Sequence, residues 1–170
     1  MTETLVNTFL DLFSGLNSLT YGKELIIFLI SLMPILELRG GLIAASLLGI
    51  NPVTSFIICL IGNIIPIPFI LWLITPIFNW LKKTKHLKGI VEKLEAKADK
   101  KKDKIEKSEF LGLLLFVGIP LPGTGAWTGT LIASLLNMNK KKALLASILG
   151  VILAGIIMMI FSFGLLQALF

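Results

Sequence analysis

The sequence predicts an all-α integral membrane protein built from an inverted repeat, in which each unit is a re-entrant helical hairpin followed by a transmembrane helix. Three observations support this fold class. Hydrophobic residues make up 55% of the 170 positions, above the roughly 45–50% typical of soluble domains. Long apolar runs carry no ionisable side chain apart from one cysteine, and the two halves of the chain resemble each other at a fixed offset. These runs cover residues 25–36, 53–81, 110–136 and 143–170.

Residues 1–20 predict an amphipathic helix that precedes the first unit. Apolar side chains recur there at helical spacing, opposite a polar face. They are Leu5, Phe9, Leu12, Phe13, Leu16 and Leu19. Because the segment is too polar to cross a bilayer, we expect it to lie in the membrane interface.

Residues 25–81 predict the first unit, with a hairpin over 25–50 and a transmembrane helix over 53–81. The centre of the hairpin is interrupted by Pro34, Glu37, Arg39 and Gly40. Proline and glycine break helices, so we expect the chain to turn there. The run over 53–81 exceeds the roughly 20 residues that a helix needs to cross a hydrocarbon core of about 30 Å.

Residues 82–109 predict a charged amphipathic helix between the units. The segment holds eleven lysines and six acidic residues, with apolar side chains on a near-heptad stripe. Two readings remain open. The helix docks on lipid headgroups while its lysine stems lie along the apolar surface, or it is a solvated connector.

Residues 110–170 predict the second unit, with a hairpin over 110–136 and a transmembrane helix over 143–170. The hairpin is again broken at its centre, here by Pro120, Pro122, Gly123 and Gly125. Both units together form a single membrane domain over residues 1–170.

An offset of 88 residues aligns the two units without gaps. At this offset Pro34 falls on Pro122 and Asn51 on Asn139, and the tetrapeptide Ala-Ser-Leu-Leu that starts at Ala45 recurs in the second unit. Matches among proline, glycine and asparagine are more informative than matches among common apolar residues. We therefore infer an internal duplication.

The lysines distinguish crossing segments from re-entrant ones. If every apolar segment crossed the membrane, the linker 82–109 and the lysines at 140–142 would lie on opposite sides. If the broken segments are re-entrant, all fourteen of these lysines lie on one side, which the positive-inside rule makes cytoplasmic. The hairpins then enter from opposite faces, so the repeat is inverted and its broken helices meet near the midplane, as in many transporters.

Glu37 and Arg39 are the acid and the base within the apolar segments, and charged residues at this depth are costly and usually functional. The Arg39 guanidinium suits bidentate recognition of phosphate or carboxylate. Burial opposes the charge of Glu37 whereas Arg39 favours it, so Glu37 is a candidate for taking up and releasing a proton. The alternative is a local ion pair between the two that locks the turn.

The second turn predicts the uncharged side of the same site. Its candidate binding residues are Pro120, Pro122, Gly123, Thr124, Gly125, Trp127 and Thr128, facing Pro34, Glu37, Arg39 and Gly40 of the first turn. Glycines allow close backbone approach, and the threonines and free backbone groups could bind a headgroup. Trp127 either stacks on a ligand or packs in an interface, and Asn63 is expected to make a helix–helix hydrogen bond.

Several classes of function are not predicted. The net charge of +6 follows from membrane topology and does not indicate nucleic acid. The sequence contains no metal-ligand cluster, catalytic triad or phosphate-binding loop, so neither an enzyme nor a bound cofactor is expected. The expected partners are membrane lipids, a lipid or small-molecule substrate, protons and a second copy of the chain.

The segments Pro34-Ile35-Leu36-Glu37-Leu38-Arg39-Gly40 and Pro120-Leu121-Pro122-Gly123-Thr124-Gly125-Ala126-Trp127-Thr128-Gly129 resemble the small multidrug export protein family, a group of small prokaryotic membrane proteins. That family resembles the DedA superfamily, which shares paired re-entrant hairpins and is implicated in moving undecaprenyl phosphate or other lipids. The resemblance implies the plasma membrane of a prokaryote. Since this second hairpin lacks arginine, an anionic headgroup would depend on Arg39 and on backbone dipoles.

Three functions follow as hypotheses. The first is a transporter or flippase of an anionic amphiphile such as a polyprenyl phosphate, with Arg39 binding the headgroup and Glu37 coupling to protons. The second is a proton-coupled exporter of small cationic drugs, with Glu37 as the shared site. The third is a membrane scaffold without transport.

Overall fold

The computed structural model describes residues 2–12, 15, 21–82 and 109–165, and every regular element within these ranges is helical. The all-α prediction is therefore confirmed for this part of the chain. The helices are α1 Thr2–Leu12, α2 Gly22–Leu32, α3 Glu37–Leu47, α4 Pro52–Ile64, α5 Pro66–Lys82, α6 Glu109–Gly118, α7 Ala126–Leu135 and α8 Lys140–Met159. A π-helical turn, Ile160–Leu165, continues α8. The predicted charged helix lies outside the described residues except at its two ends.

Within the described residues, two helical stretches are long and apolar enough to cross a membrane. Pro52–Ile74 runs from α4 into α5 with 23 residues, and Lys140–Gly164 runs from α8 into the π-helical turn with 25. Only 33% and 39% of their apolar windows are buried inside the protein, unlike the core helix of a soluble domain. The exposed side chains form an apolar stripe along α4 and α5 at a spacing of four residues, made by Val53, Ile57, Ile61, Ile65, Phe69 and Leu73. A surface of this kind suits contact with lipid chains, which supports the prediction of membrane helices.

Helices α2 and α3 pack against each other as a hairpin. Helix α2 ends at Leu32 because Met33 takes an extended conformation before Pro34, as residues preceding proline commonly do. Each helix has 11 residues, which corresponds to roughly 16 Å of helix length and to about half of a bilayer core. Neither arm is long enough to cross a membrane.

The second arm of each hairpin ends in the same motif. Gly49 and Asn137 adopt positive φ values of 67° and 53°. The N–H group of each of these residues donates to the carbonyl three positions earlier, at 3.2 Å. The N–H group of the next residue donates to the carbonyl five positions before itself, at 3.0 Å. This is a Schellman cap, whose left-handed residue is usually glycine and sometimes asparagine.

Each spanning helix then begins at a capping asparagine. Asn51 Oδ1 accepts hydrogen bonds from the backbone N–H groups two and three positions later, at 2.9 and 3.3 Å. Asn139 Oδ1 makes the same two bonds at 3.0 and 3.3 Å. Since asparagine is among the best N-cap residues, the matched pair explains why both helices start where they do. The offset of 88 thus joins positions with the same local structure.

Glycines let each hairpin approach its own spanning helix. A Cβ added at Gly62 would lie 2.9 Å from the carbonyl oxygen of Phe28, and one at Gly150 would lie 2.8 Å from that of Leu114. Any side chain at either position would push the helices apart, so the close packing depends on glycine.

The second arm of each hairpin also reaches the other unit. Helix α3 contacts α8, and α7 contacts α5, while α4 and α8 contact each other. Helix α1 packs on the first hairpin, and its Val6 is fully buried. This exchange of arms brings the turns of the two hairpins together.

Candidate functional site

The Glu37 side chain crosses from the first hairpin to the second. Its Oε2 accepts a hydrogen bond from the backbone N–H of Ala126 and its Oε1 accepts one from Trp127, both at 3.0 Å. These N–H groups belong to the first turn of α7, where helices have no internal acceptors. A carboxylate is favoured there by the helix dipole. Glu37 therefore caps a helix that lies almost ninety residues further along the chain.

Arg39 also binds the second hairpin. Its Nη1 donates to the Leu121 carbonyl oxygen at 2.5 Å, and its Nη2 donates to the Thr124 carbonyl and hydroxyl oxygens, both at 3.0 Å. The Thr124 hydroxyl itself donates to the backbone of the same turn. Arg39 thus clamps the turn that joins α6 to α7. The acid and the base each bind the opposite hairpin through these bonds rather than each other.

Glu37 has an unfavourable backbone conformation and a buried side chain. Its φ is +51°, a value uncommon for residues other than glycine, and only 5% of its surface is exposed. Such conformations cost about 1–3 kcal/mol and persist when surrounding contacts enforce them. Here those contacts include the two hydrogen bonds that the side chain accepts from α7.

Gly125 provides the space for the Glu37 carboxylate. A Cβ built at this position would overlap the carboxylate group, and the φ of +144° also disfavours other residues. Residues 37 and 125 are separated by the same offset of 88 that relates the two units, so equivalent positions of the two units touch each other.

A cavity of about 430 Å³ lies between the two turns, within the range of small-molecule sites. Eight of the predicted site residues line this tip pocket: Pro34, Glu37, Arg39, Pro120, Pro122, Gly123, Thr124 and Thr128. Of the remaining three, Gly125 and Trp127 contact Glu37. Gly40 is buried and does not line the pocket, and a Cβ built there would lie 2.7 Å from that of Leu36. The role of all eleven residues in substrate binding stays a prediction.

The sequence did not indicate the apolar wall of the tip pocket. Ile35, Leu36, Ile43 and Met158 complete the lining. Met158 lies in a uniformly apolar helix and carries no distinguishing signal in sequence. A pocket wall of this kind can be recognised only after the hairpins and α8 have been placed.

Asn63 is a further polar residue at this site. It lies on α4, is 2% exposed and faces the Glu37 carboxylate. Its Oδ1 is buried and has no hydrogen-bond partner among the described residues. This oxygen makes no hydrogen bond in the described part of the chain, and the predicted helix–helix hydrogen bond of Asn63 stays a prediction.

Glu37 and Arg39 differ in how many of their hydrogen-bonding groups are already used within the protein. Both oxygens of Glu37 already accept hydrogen bonds from α7. Arg39 uses three of its five N–H groups, and the others have no partner among the described residues. No group of three or more histidine, cysteine, aspartate or glutamate residues suited to a metal occurs in the described ranges.

Residues 37–157 match the model of a family described as "Putative small multi-drug export protein". No curated protein and no solved structure matches the chain. The matched region begins at Glu37, the first residue of α3, and includes Arg39, α4, the second turn and most of α8. Pro34, Ile35, Leu36 and Met158 of the tip-pocket lining lie outside it.

Proposed function

The chain belongs to the small multi-drug export protein family, and on that premise we propose that it is a membrane transporter of an amphiphile with an anionic group, such as a polyprenyl phosphate. The substrate binds in the tip pocket with its charged group at Arg39. The observation that carries this proposal is the unequal engagement of the two charges. Both oxygens of Glu37 already accept a hydrogen bond from α7, whereas Arg39 lines the pocket with N–H groups to spare.

The shape and chemistry of the pocket support an amphiphile. A guanidinium with free N–H groups can bind phosphate or carboxylate in a bidentate manner. Ile43 and Met158 form an apolar surface beside it, and Ile35 at the rim is 80% exposed. A hydrocarbon chain bound there would extend from the charged group towards the lipid-facing surface.

Proton coupling through Glu37 is the second part of the proposal. A protonated carboxyl is a weaker acceptor than a carboxylate, so protonation loosens the bonds from Ala126 and Trp127. The strained backbone of Glu37 is then held less firmly and the contact between α3 and α7 weakens, while Arg39 still joins the two turns. Uptake of a proton would in this way change access to the tip pocket.

The same contacts support the proposed architecture. Arms of 11 residues suit hairpins that enter the bilayer halfway and return. A residue near a two-fold axis touches its own equivalent, as residues 37 and 125 do, and the exchange of α3 and α7 between units follows the same symmetry. An axis in the membrane plane makes the repeat inverted, as proposed from the lysines. The single membrane domain, the cytoplasmic linker 82–109, the prokaryotic plasma membrane and a distant relationship to the DedA superfamily remain parts of this proposal.

An exporter of small cationic drugs is the alternative that a specific observation favours. The Glu37 carboxylate lines the tip pocket, and a cation that displaced the α7 N–H groups could pair with it. The scaffold hypothesis requires neither charge to matter. A homodimer would cover part of the exposed stripe on α4 and α5, which lipid chains can cover equally well.

Binding to the purified full-length protein in lipid nanodiscs tests the proposal. We expect a polyprenyl phosphate to bind and its uncharged alcohol to bind at least about tenfold more weakly, a difference of roughly 1.4 kcal/mol. Arg39→Gln should remove this preference. Lys141→Gln, which alters an exposed lysine outside the pocket, should retain it. Equal binding of phosphate and alcohol, or cations that compete with protons in an Arg39→Gln background, would favour the alternative.

A further inference from the structure

Glu37 is surrounded by hydrogen-bond donors. The backbone N–H groups of Ala126 and Trp127 donate to Glu37 from α7. Arg39, which lies on α3 together with Glu37, is the nearby positive charge. From α4 it is faced by the side-chain amide of Asn63. These donors satisfy an ionised carboxylate, because a carboxylate only accepts hydrogen bonds.

A protonated Glu37 would have a different requirement. Its O–H needs an acceptor, since a buried donor without a partner is unfavourable. Neither a backbone N–H group nor a guanidinium can accept a hydrogen bond. Of the groups named above, the Asn63 amide alone carries both donors and an acceptor.

Asn63 has an acceptor in reserve. Its Oδ1 is buried without a donor among the described residues, in a side chain that is 2% exposed. Buried polar groups without partners are rare and require an explanation. A rotation about the final side-chain bond exchanges the NH₂ group and the oxygen that the amide presents to Glu37. An oxygen that lacks a donor in one protonation state of Glu37 can therefore accept a hydrogen bond in the other.

We propose that Asn63 is the positioning residue that serves both protonation states of Glu37. Its NH₂ group faces the carboxylate, and after Glu37 takes a proton from water the amide turns so that Oδ1 accepts the carboxyl O–H. This inference rests on the proton-coupled function proposed above. It assigns a role to a residue outside the two turns, on the wall of a spanning helix.

Infrared spectroscopy of the full-length protein in nanodiscs, recorded as a function of pH, provides the test. The carbonyl stretch of protonated Glu37 is identified as the band that Glu37→Gln removes. Asn63→Thr and Asn63→Val have the same shape, but only threonine keeps a hydroxyl that can donate and accept. We expect Asn63→Thr to preserve the band and its pH midpoint. Asn63→Val should shift the band to higher frequency and move the midpoint by about one pH unit, a tenfold change in proton affinity.

Ser147→Ala is the matched control, because it removes a different fully buried polar group, a hydroxyl without a partner among the described residues. It should leave the Glu37 band unchanged. If Asn63→Val fails to fold, Asn63→Leu takes its place. An unchanged band and midpoint in the apolar variant, or no Glu37 band at any pH, would overturn the inference. Because no substrate is added, failure of the transport proposal appears separately, as loss of the phosphate preference in the binding experiment.

Discussion

Glu37 and Gly125 occupy equivalent positions in the two units, and the carboxylate of one fills the space where the other would carry a Cβ. Both have positive φ values, +51° and +144°. The contact joins the only acid of the apolar segments to the residue that must be glycine for the acid to fit. Most of the experiments below alter this contact, the bonds that support it or the topology that would create it.

Gly125→Ala should prevent Glu37 from reaching α7. The new Cβ would overlap the carboxylate and add backbone strain, so we expect the free energy of unfolding to fall by about 1–3 kcal/mol. Reversible unfolding in mixed detergent would measure it. Gly112→Ala is the matched control, because a Cβ there meets nothing within 4 Å and alanine favours a helix by about 0.5–1 kcal/mol. Equal stability of the two variants would contradict the assigned contact.

Thr124→Val should weaken the clamp on the second turn. The change removes the hydroxyl that accepts from Arg39 Nη2 and donates within the turn, at a cost of about 1 kcal/mol. Thr124→Ser keeps the hydroxyl and should behave almost as the native protein. Unfolding of the two variants side by side separates loss of the hydroxyl from loss of the methyl group. If serine proves as damaging as valine, the hydroxyl is not what holds the turn.

Arg39→Lys should retain the positive charge and lose the clamp. Lysine is a point charge on a flexible stem and cannot reproduce the fork that binds Leu121 and Thr124 together. We expect affinity for a lipid phosphate to fall by about tenfold, or roughly 1.4 kcal/mol, measured by titration in nanodiscs. Binding unchanged in Arg39→Lys would mean that charge alone is sufficient and that the fork has no role in recognition.

Asn51→Ala and Asn139→Ala should destabilise the protein to similar extents. The two caps have the same geometry, and loss of an N-cap costs about 1 kcal/mol. Asn→Asp at either position keeps the acceptor and should largely restore stability. Unequal losses measured by the same unfolding assay would show that the two units differ in stability despite their matched local structure.

The proposed topology predicts which positions an impermeant thiol reagent can reach. In a Cys59→Ala background, Glu24→Cys lies in the first turn of α2 and Thr54→Cys in the first turn of α4, just beyond the open end of the first hairpin. Both should be labelled from outside intact cells. Lys141→Cys should be labelled only in inside-out vesicles. Labelling of positions 24 and 54 from opposite sides would exclude a re-entrant first hairpin.

Part of this site could be predicted from sequence because it violates the pattern around it. Glu37, Arg39 and the prolines stand out within apolar runs, where a charge or a helix break is costly. The offset of 88 was visible for a similar reason, since asparagine and glycine are informative against an apolar background. These signals were sufficient to predict that the residues of both turns belong to one site.

The remainder could not be predicted because its partners have no signature in sequence. Arg39 binds two backbone carbonyls, and every residue has a carbonyl. Met158 lines the tip pocket as one apolar residue among many. The positive φ of Glu37 was equally hidden, because it results from contacts with α7 and not from local preference. Asn63 stands out in sequence as a polar residue, but its proximity to Glu37 depends on how α4 packs against α3.

The two turns contribute different chemical groups to the tip pocket. The first turn contributes both ionisable side chains. The second turn contributes main-chain atoms and one threonine hydroxyl. The second turn therefore contributes mainly its backbone conformation. Many different residues could reproduce this conformation, provided that position 125 stays glycine and the path of the loop is kept. Mutagenesis should accordingly find the first turn intolerant of chemical change and the second intolerant mainly of bulk.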